Sequence, residues 1–381
     1  MRSNFRNTAL SSLQGVSLAA SSALSCENYL RKYKSAFYQE LVSNNICTDI
    51  LIRVTAKFSC CAKWGCAVRE ILVGIMLFAV LLLISTILVS EYLFKKIIYR
   101  QKKSSSQKDI DAVVSWYRHY PIAKEGRRWL KNMPYINIYI KSFDGLRLYG
   151  ALLENQGFEN KIVICVHGFT GSGKKDFACL ARTYYENGYN VLLIDNRAHG
   201  NSEGKYVGFG VLDRIDVRNW VKYVINRFGS DVQIFLHGIS MGGAAVLMSS
   251  SIVPKNVRGI IADCGFTSVY EIFEYVLKRD YHLPKFPIIY LTNIMSRLRA
   301  GYGYKDIDTS AEIARSNIPI LFIHGENDEF VPLWMTMKNY SHCRAEKELF
   351  IVKDSEHAES HYIDKKGYEK RVLAFMKKHS K

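Results

Sequence analysis

Three residue types that together can make a serine reactive lie just after apolar runs in this chain: Ser240, Asp328 and His357. Ser240 is the centre of Gly-Ile-Ser-Met-Gly, which follows the apolar run 232–236 and precedes the helix-forming run 244–248. A strand, a G-x-S-x-G turn and a helix form the context in which a serine hydroxyl projects from the top of a sheet. The stretch therefore predicts a nucleophile at Ser240.

A serine nucleophile needs a base, and the base needs a carboxylate that orients it. Asp328 lies in the polar turn after the apolar run 318–323, and His357 lies in the loop after the predicted strand 348–352. The order serine, acid, histidine is one of the known chain orders of such a triad. Some alternatives stay open, namely Glu326 and Glu329 for the acid and His361 for the base.

The stretch His167-Gly168-Phe169-Thr170-Gly171 follows another apolar run and supplies glycines where a backbone amide must turn toward a substrate. We expect the backbone N–H groups of Phe169 and Met241 to form an oxyanion hole. His167 is expected to be structural. His199, in the polar loop 195–204, is expected to fix that loop by hydrogen bonds, although it could also serve as a base.

Two other kinds of site compete with this interpretation. His357 and His361 stand four residues apart with Glu359 between them, but a third metal ligand is not evident, so we expect no metal. Residues 168–174 fit the nucleotide-binding pattern G-x-x-x-x-G-K, yet Lys175 stands where that motif needs a Ser or Thr hydroxyl for Mg²⁺. A P-loop protein is therefore the weaker hypothesis, and we expect Lys174 to be a surface residue.

The apolar runs that position these residues alternate with helical patterns. Strands are predicted at 136–141, 146–153, 161–166, 191–194, 232–238, 257–263, 318–323 and 348–352. Helices are predicted at 109–134, 175–186, 213–228, after the Ser240 turn, near 332–340 and at 367–378. Strands separated by helices indicate an α/β fold with a mostly parallel central sheet and helices on both faces. An aromatic-rich insertion at about 267–306 indicates a small cap.

One segment is unlike the rest. Residues 71–90 run for twenty positions without a charge, which is the length needed to cross a bilayer core. Basic residues are slightly more frequent after this segment than before it, so the positive-inside rule favours the C-terminal domain in the cytoplasm. We predict a single-pass membrane protein, and we expect removal of everything before Lys102 to release a soluble, active domain.

The net charge of +17 is unevenly distributed, since more than half of the excess lies in the first 110 residues, around the apolar segment. The globular part lacks a basic face interleaved with stacking aromatics, which argues against nucleic acid as a partner. The charge pattern favours a membrane surface instead.

Five blocks together carry a family resemblance: H-G-F-T-G, D-N-R-A-H-G-N-S-E-G, G-I-S-M-G-G, H-G-E-N-D-E-F-V-P and E-H-A-E-S. From about Asp109 onward the chain resembles the α/β-hydrolase superfamily, and it is most similar to bacterial membrane-anchored serine hydrolases and the eukaryotic Bem46-like group. The resemblance implies a nucleophile at Ser240, an acid at Asp328, a base at His357 and oxyanion amides at Phe169 and Met241. Ser355 is a departure, because such loops often carry glycine there.

These observations predict four regions: an N-terminal segment 1–70 that we expect to be poorly ordered, a transmembrane helix 71–93, a basic linker 94–108 and an α/β-hydrolase domain 109–381. The expected activity is cleavage of a carboxylic ester, with a thioester or amide as alternatives, through an acyl-enzyme and without a cofactor. The expected partners are a small-molecule or lipid-like acyl ester and the membrane. The alternative function is a non-catalytic binding protein that keeps the hydrolase fold.

Overall fold

The computed structural model describes residues 66–100, 119–155 and 160–381, which divide into two compact units at Thr86. Residues 1–65 of the predicted segment 1–70, and residues 101–108 of the predicted linker 94–108, lie outside the described residues. The strands are β1 (Ile136–Lys141), β2 (Arg147–Leu153), β3 (Lys161–Val166), β4 (Asn190–Ile194), β5 (Gln233–Ile239), β6 (Val257–Asp263), β7 (Ile320–Gly325) and β8 (Lys347–Val352). The helices are α1 (Cys66–Ile97), α2 (Tyr120–Asn132), α3 (Gly173–Asp176), α4 (Ala178–Glu186), α5 (Asp213–Phe228), α6 (Met241–Ser249), α7 (Val269–Tyr281), α8 (Ile288–Arg299), α9 (Thr309–Ala314), α10 (Leu333–His342), α11 (Ser360–Ile363) and α12 (Lys365–His379).

The eight strands form one sheet in the order β1-β2-β4-β3-β5-β6-β7-β8. The pairs β1–β2 and β2–β4 are antiparallel, and all the other neighbours are parallel. Gly238 pairs with Val166 on one side of β5, and Ile239 pairs with Asp263 on the other. Because the carboxyl ends of parallel strands meet at one edge, the loops after β3, β5, β6, β7 and β8 gather there.

Helices cover both faces of the sheet, as predicted. On one face, side chains of α5, α6, α9 and α10, including Trp220 and Ile313, pack on Ile164, Leu236 and Phe322. On the other face, α2, α4 and α12 contribute a second core that includes Tyr184, Tyr368 and Phe375. Strands buried on both faces read as continuous apolar runs, which is why the sequence pattern identified them.

The insertion between β6 and β7 contains two long helices, α7 and α8, at the position of the predicted cap. Their inward side chains share a third apolar cluster with Phe209, Met241 and Tyr304. The last turns of α1 join the same cluster, since Leu93, Phe94 and Ile98 are almost completely buried. The structure therefore differs from the predicted boundary at residue 94. The first residues assigned to a basic linker are helical and form part of the packed core.

Further bonds hold this end of α1 to the domain. The Arg299 guanidinium contacts both carboxylate oxygens of Glu91, at 2.9 and 2.7 Å. The backbone N–H of Val207 donates to the carbonyl of Ile98, and Arg100 donates to the carbonyl of Gly200 at 2.7 Å. Residues 86–100 thus belong to the hydrolase-like unit rather than to a connecting segment.

Candidate active site

The turn between β5 and α6 holds Ser240 in an unusual backbone conformation. Its φ is 56° and its ψ is −117°, a combination that costs a non-glycine residue about 1–3 kcal/mol. The turn is so tight that a Cβ at Gly242 would overlap the carbonyl oxygen of Val166, and one at Gly238 would overlap that of Gly242. The backbone N–H of Ser240 donates to the carbonyl of Asp263 at 2.8 Å. These constraints explain the two glycines around the serine.

The side chains of Ser240, His357 and Asp328 form one hydrogen-bonded row. His357 Nε2 lies 2.8 Å from Ser240 Oγ, and His357 Nδ1 lies 2.7 Å from Asp328 Oδ2. The ionised carboxylate can only accept, so Nδ1 carries the proton and Nε2 is free to accept the serine proton. The row therefore has the tautomer that nucleophilic activation requires.

The turn after β7 fixes the carboxylate of Asp328. Its Oδ1 accepts from the backbone N–H groups of Phe330 and Val331, at 2.9 and 2.8 Å. Its Oδ2 also lies 3.3 Å from Nε2 of the buried His324. Burial acts to raise the pKa of Asp328, but the charge and hydrogen bonds of His357 and His324 outweigh it and hold that pKa well below its usual range. Asp328 is therefore a carboxylate wherever the domain is folded near neutral pH.

The side chains of this row become more accessible from Asp328 to His357. The side chain of Asp328 is fully buried, whereas 22% of the His357 side chain is exposed. The Phe330 ring, itself partly exposed, lies over His357 with ring centroids 4.8 Å apart. A substrate can thus approach the imidazole and the serine while the carboxylate stays out of water.

Two backbone amides are available beside the serine. Gly168 lies close to Ser240, since a Cβ placed on Gly168 would stand 3.4 Å from the Ser240 Cβ. In the described part of the chain, neither the N–H of Phe169, which follows Gly168, nor the N–H of Met241 has an intramolecular acceptor. The sequence prediction of an oxyanion hole is compatible with this arrangement.

The two histidines near this edge have structural contacts. His167 Nδ1 lies 2.7 Å from the carbonyl of Gly168, and its Nε2 accepts from the N–H of Asn196. Burial lowers the pKa of His167 well below its usual value, so its ring is neutral. His199 lies 2.9 Å from the carbonyl of Arg197 and contacts the N–H of Thr170. Both rings fix loops, which is the arrangement expected from the sequence.

Comparisons with known proteins agree with this fold. Residues 161–287 match the family model described as the alpha/beta hydrolase fold. The uncharacterized protein YqkD of Bacillus subtilis (strain 168) is 31% identical over 238 residues, which cover 62% of this chain and 77% of that protein. The chain belongs to the α/β-hydrolase superfamily.

Other similar proteins share less identity with the chain. Protein bem46 of Schizosaccharomyces pombe is 25% identical over 58% of this chain and 69% of its own length. An uncharacterized membrane protein of Saccharomyces cerevisiae, YNL320W, is 23% identical over 58% of this chain and 72% of its own. Among solved structures, an esterase of Pyrococcus furiosus, Pf2001, superposes with a TM-score of 0.54 at 24% identity and covers 65% of this chain and 92% of its own. At this identity the superposition supports the fold alone.

In this α/β-hydrolase, the alternative acids and base lie apart from the row. Glu326 and Glu329 are exposed, on either side of the buried Asp328. His361 is buried and its Nε2 lies 3.1 Å from Glu369. Ser355 is not among the residues with positive φ; the left-handed residues of its loop are Asp354 (φ 57°) and Ala358 (φ 58°). The loop therefore needs no glycine at Ser355, and that departure from the family pattern has no geometric cost.

The metal interpretation fits the contacts poorly. Glu359 lies 3.2 Å from His119 Nε2, so neither it nor His361, which is paired with Glu369, completes a set with His357. Cys264, Asp328 and His357 do have candidate ligand atoms within 4.8 Å of one another. However, burial raises the pKa of the Cys264 thiol well above its usual value, and a thiol must lose its proton to bind a metal. The cluster is better described as an acid–base pair beside a protonated thiol.

The sequence did not reveal a second, fully buried polar row, which runs from Tyr184 to Asp263. Tyr184 Oη lies 2.5 Å from His237 Nδ1, and His237 Nε2 lies 3.0 Å from Tyr368 Oη. Tyr368 then donates to Asp263 Oδ2 at 3.0 Å. Burial raises the pKa of Asp263 to about 6, although its bond to Tyr368 acts in the opposite direction. A histidine and an aspartate inside apolar strands were the only signal, since the two tyrosines come from distant helices.

The loop that resembles a P-loop binds carboxylates of its own chain. The N–H of Gly173 donates to Asp195 at 3.0 Å, and that of Gly168 donates to Asp176 at 3.1 Å. These amides are therefore not free to hold a phosphate. Lys174 is only partly exposed, since its ammonium lies 4.1 Å from the centre of the Tyr135 ring and 5.2 Å from that of Tyr149. The expectation of a plain surface lysine is corrected to one that covers two aromatic rings.

Lys174→Ala should lower the stability slightly and leave catalysis within a few-fold. The loss of two cation–π contacts costs about 0.5–1 kcal/mol at such partly exposed sites. Esterase turnover and the unfolding midpoint should be measured together, with the exposed neighbour Lys175→Ala as the matched control. Saturable ATP binding that disappears only in Lys174→Ala would contradict this prediction and restore the nucleotide-binding hypothesis.

Proposed function

We propose that this chain is a membrane-anchored serine hydrolase that cleaves a carboxylic ester, with a thioester or amide as the less favoured substrate. The observation that carries the proposal is the position of His357, whose two ring nitrogens contact Ser240 and Asp328 at 2.8 and 2.7 Å. A strained serine, a correctly protonated base and a buried acid are together needed for acyl transfer. Separately, each would be unremarkable in a folded domain.

In the first half of the reaction, Ser240 Oγ forms a bond to the carbonyl carbon while His357 Nε2 takes the hydroxyl proton. The carbonyl oxygen becomes an oxyanion, which the backbone N–H groups of Phe169 and Met241 would stabilise. Collapse of this intermediate breaks the bond to the leaving oxygen, and His357 returns the proton to that oxygen. The products are an alcohol and an acyl-enzyme.

In the second half, water takes the place of the alcohol. His357 removes one proton from water as the water oxygen attacks the acyl carbon. The imidazole then returns a proton to Ser240 Oγ as the carboxylic acid departs. The carboxylate of Asp328 holds the imidazole in place and stabilises its protonated form. This chemistry is complete without a cofactor.

The surroundings of Phe169 favour an apolar acyl group. An aromatic row runs from it through Phe209 and Phe273 to Tyr304, with successive ring centroids 5.2, 4.9 and 4.9 Å apart. Phe273 and Tyr304 also line an apolar cavity between the last turns of α1 and the cap helices α7 and α8. Apolar walls of this kind accept hydrocarbon and exclude water, so a lipid-like ester is the preferred substrate class.

The test uses the full-length protein in detergent. A fluorophosphonate should label it with one adduct per chain, and model esters should be hydrolysed faster as the acyl chain lengthens from acetyl. Peptide mapping should place the adduct on Ser240. A folded protein that neither labels nor turns over any ester would contradict the proposal and favour a non-catalytic binding protein.

Membrane anchoring is the second part of the proposal. The helix Arg69–Ile97 is long and apolar enough to span a bilayer, and no residue of its most apolar stretch is buried inside the protein. The name of the yeast relative YNL320W also describes a membrane protein. We therefore expect the full-length chain to stay in the membrane pellet after carbonate extraction. We further propose that the hydrolase domain faces the cytoplasm, where protease added outside intact cells should leave it uncut.

The contacts of α1 determine which N-terminal truncation should leave a stable domain. Removing everything before Lys102 would delete Phe94 and Ile98, which are at most 1% exposed, together with the Glu91–Arg299 ion pair. We expect this truncation to unfold at a clearly lower temperature and to aggregate. Truncation before Thr86 keeps those contacts and should give the more stable, active domain. Equal unfolding midpoints for the two truncations would show that this end of α1 is dispensable.

A further inference from the structure

The cap helix α8 has two faces of opposite character. Its inward residues Ile288, Ile289, Thr292 and Ser296 are buried, and the two isoleucines join the apolar cluster beneath the cap. Its outward stripe consists of four large apolar side chains, namely Phe286 just before the helix (69% exposed), Tyr290 (47%), Ile294 (51%) and Leu298 (81%).

The spacing of this outward stripe shows that it forms a single surface. Tyr290, Ile294 and Leu298 are four residues apart, and each step of four advances by about 40° around a helix, so these three span an arc of about 80°. Phe286 precedes the helix and extends the stripe by ring contact, since its ring centroid lies 5.6 Å from that of Tyr290. Isolated apolar residues are normal on a surface that faces water, whereas a contiguous exposed apolar stripe marks an interaction site.

The position of α8 indicates what covers the stripe. Its C-terminal end is held to the end of α1, because Arg299 pairs with Glu91 and its guanidinium lies 5.4 Å from the centre of the Phe94 ring. The neighbours of this ion pair, Leu298 and Tyr92, are both strongly exposed. The apolar stripe therefore begins where the candidate membrane span joins the domain.

The surrounding charges are consistent with the edge of a bilayer. Lys95, Lys285 and Arg297 are each about half exposed, and each is paired with an acidic side chain of the domain. The rim of the stripe is thus polar, and the positive charges there are neutralised by acidic side chains of the domain. The centre of the stripe carries no charge. Apolar side chains bordered by basic residues are typical of helices that lie at a membrane surface.

We propose that the outward stripe of α8 (Phe286, Tyr290, Ile294 and Leu298) inserts into the lipid surface of the bilayer that α1 crosses. This inference rests on the proposed anchoring, and it deepens the proposed function by giving the source of the substrate. The inward face of α8 shares one apolar cluster with Phe169 and Met241, so a cap that touches lipid on its outward face can take an acyl ester directly from the leaflet.

Photo-crosslinking in the full chain tests the contact without using activity. Leu298→p-benzoylphenylalanine is compared with the same substitution at Leu81, on the exposed side of α1, and at Tyr139, an exposed aromatic on β1. Each protein also carries Ser240→Ala and is reconstituted in phosphatidylcholine vesicles. After irradiation, mass spectrometry should find a lipid adduct at positions 81 and 298, at comparable yields, and little at position 139.

The outcomes separate this proposal from those on which it rests. A lipid adduct at 81 but not at 298 would overturn the insertion of α8 and leave the anchor intact. A crosslink from 298 to a second copy, or to another part of the chain, would show that protein covers the stripe. Absence of lipid adducts at both 81 and 298 would refute the anchor and this inference together.

A second measurement connects the surface to turnover. The double substitution Ile294→Asp and Leu298→Asp should raise KM for a long-chain ester carried in vesicles by about tenfold or more, because burial of one large apolar side chain alone is worth that much in partitioning. Hydrolysis of a soluble short-chain ester and the unfolding midpoint should not change. Tyr139→Asp is the matched control. Equal losses on both substrates would indicate damage to the fold and count against the proposal.

Discussion

Ser240→Ala should abolish covalent labelling by a fluorophosphonate and lower ester hydrolysis by about 10⁶-fold, the loss found when a triad serine is removed. No oxygen then remains to attack. The turn should keep its backbone conformation, because alanine and serine are equally restricted at the φ of 56° that this position adopts. Some acceleration should remain from the oxyanion amides and from substrate binding. Intact mass and initial rates measure the two effects.

The matched control for this change is Ser341→Ala, a serine on α10 whose hydroxyl bonds only within its own helix at the surface. It should label and turn over like the unmodified chain. Both variants should unfold at nearly the same temperature. Stoichiometric labelling of Ser240→Ala would mean that the nucleophile is a different residue, and the proposed mechanism would fall.

Much of the scaffold could be predicted because its signals are local. A buried parallel strand is a short apolar run, so β3 and β6 were located to the residue. The antiparallel edge strand β1 was located equally well by its alternating pattern. The two glycines of the Gly-x-Ser-x-Gly turn have a steric cause, since neither Gly238 nor Gly242 has room for a Cβ. The order of Ser240, Asp328 and His357 along the chain, each just after a strand, was enough to predict that they meet at one edge.

Other features depend on contacts that no local pattern encodes. The end of α1 looked like the start of a linker because Lys95 and Lys96 follow an apolar run. The side chains of Phe94 and Ile98, on either side of these lysines, nevertheless enter the core. His324 stood in the quoted motif without a role, and only the geometry of the turn brings it 3.3 Å from Asp328. The outward stripe of α8 was hidden as well, because aromatic composition alone does not say which face of a helix is covered.

Asp328→Asn should lower kcat/KM for ester hydrolysis by about 10⁴-fold. Ser240 of this variant should still be labelled by a fluorophosphonate after long incubation. The amide can keep the backbone bonds of Phe330 and Val331 through its oxygen, so its NH₂ group must then face His357 Nδ1. A donor in that position forces the imidazole into the other tautomer, with its proton on Nε2. The base then points an N–H at Ser240 and cannot accept the hydroxyl proton.

Glu326→Gln and Glu329→Gln are the matched controls, since both make the same chemical change at exposed positions of the same turn, and each should keep turnover within a few-fold. The pH–rate profile adds a second check. Because the pKa of Asp328 is held well below its usual range, its carboxylate stays ionised as the solution is acidified. Protonation of Asp328 should therefore make no contribution to the fall of kcat/KM in acid. If Glu326→Gln were the inactive variant and Asp328→Asn retained full activity, the acid of the triad would be Glu326, and the 2.7 Å contact would be structural only.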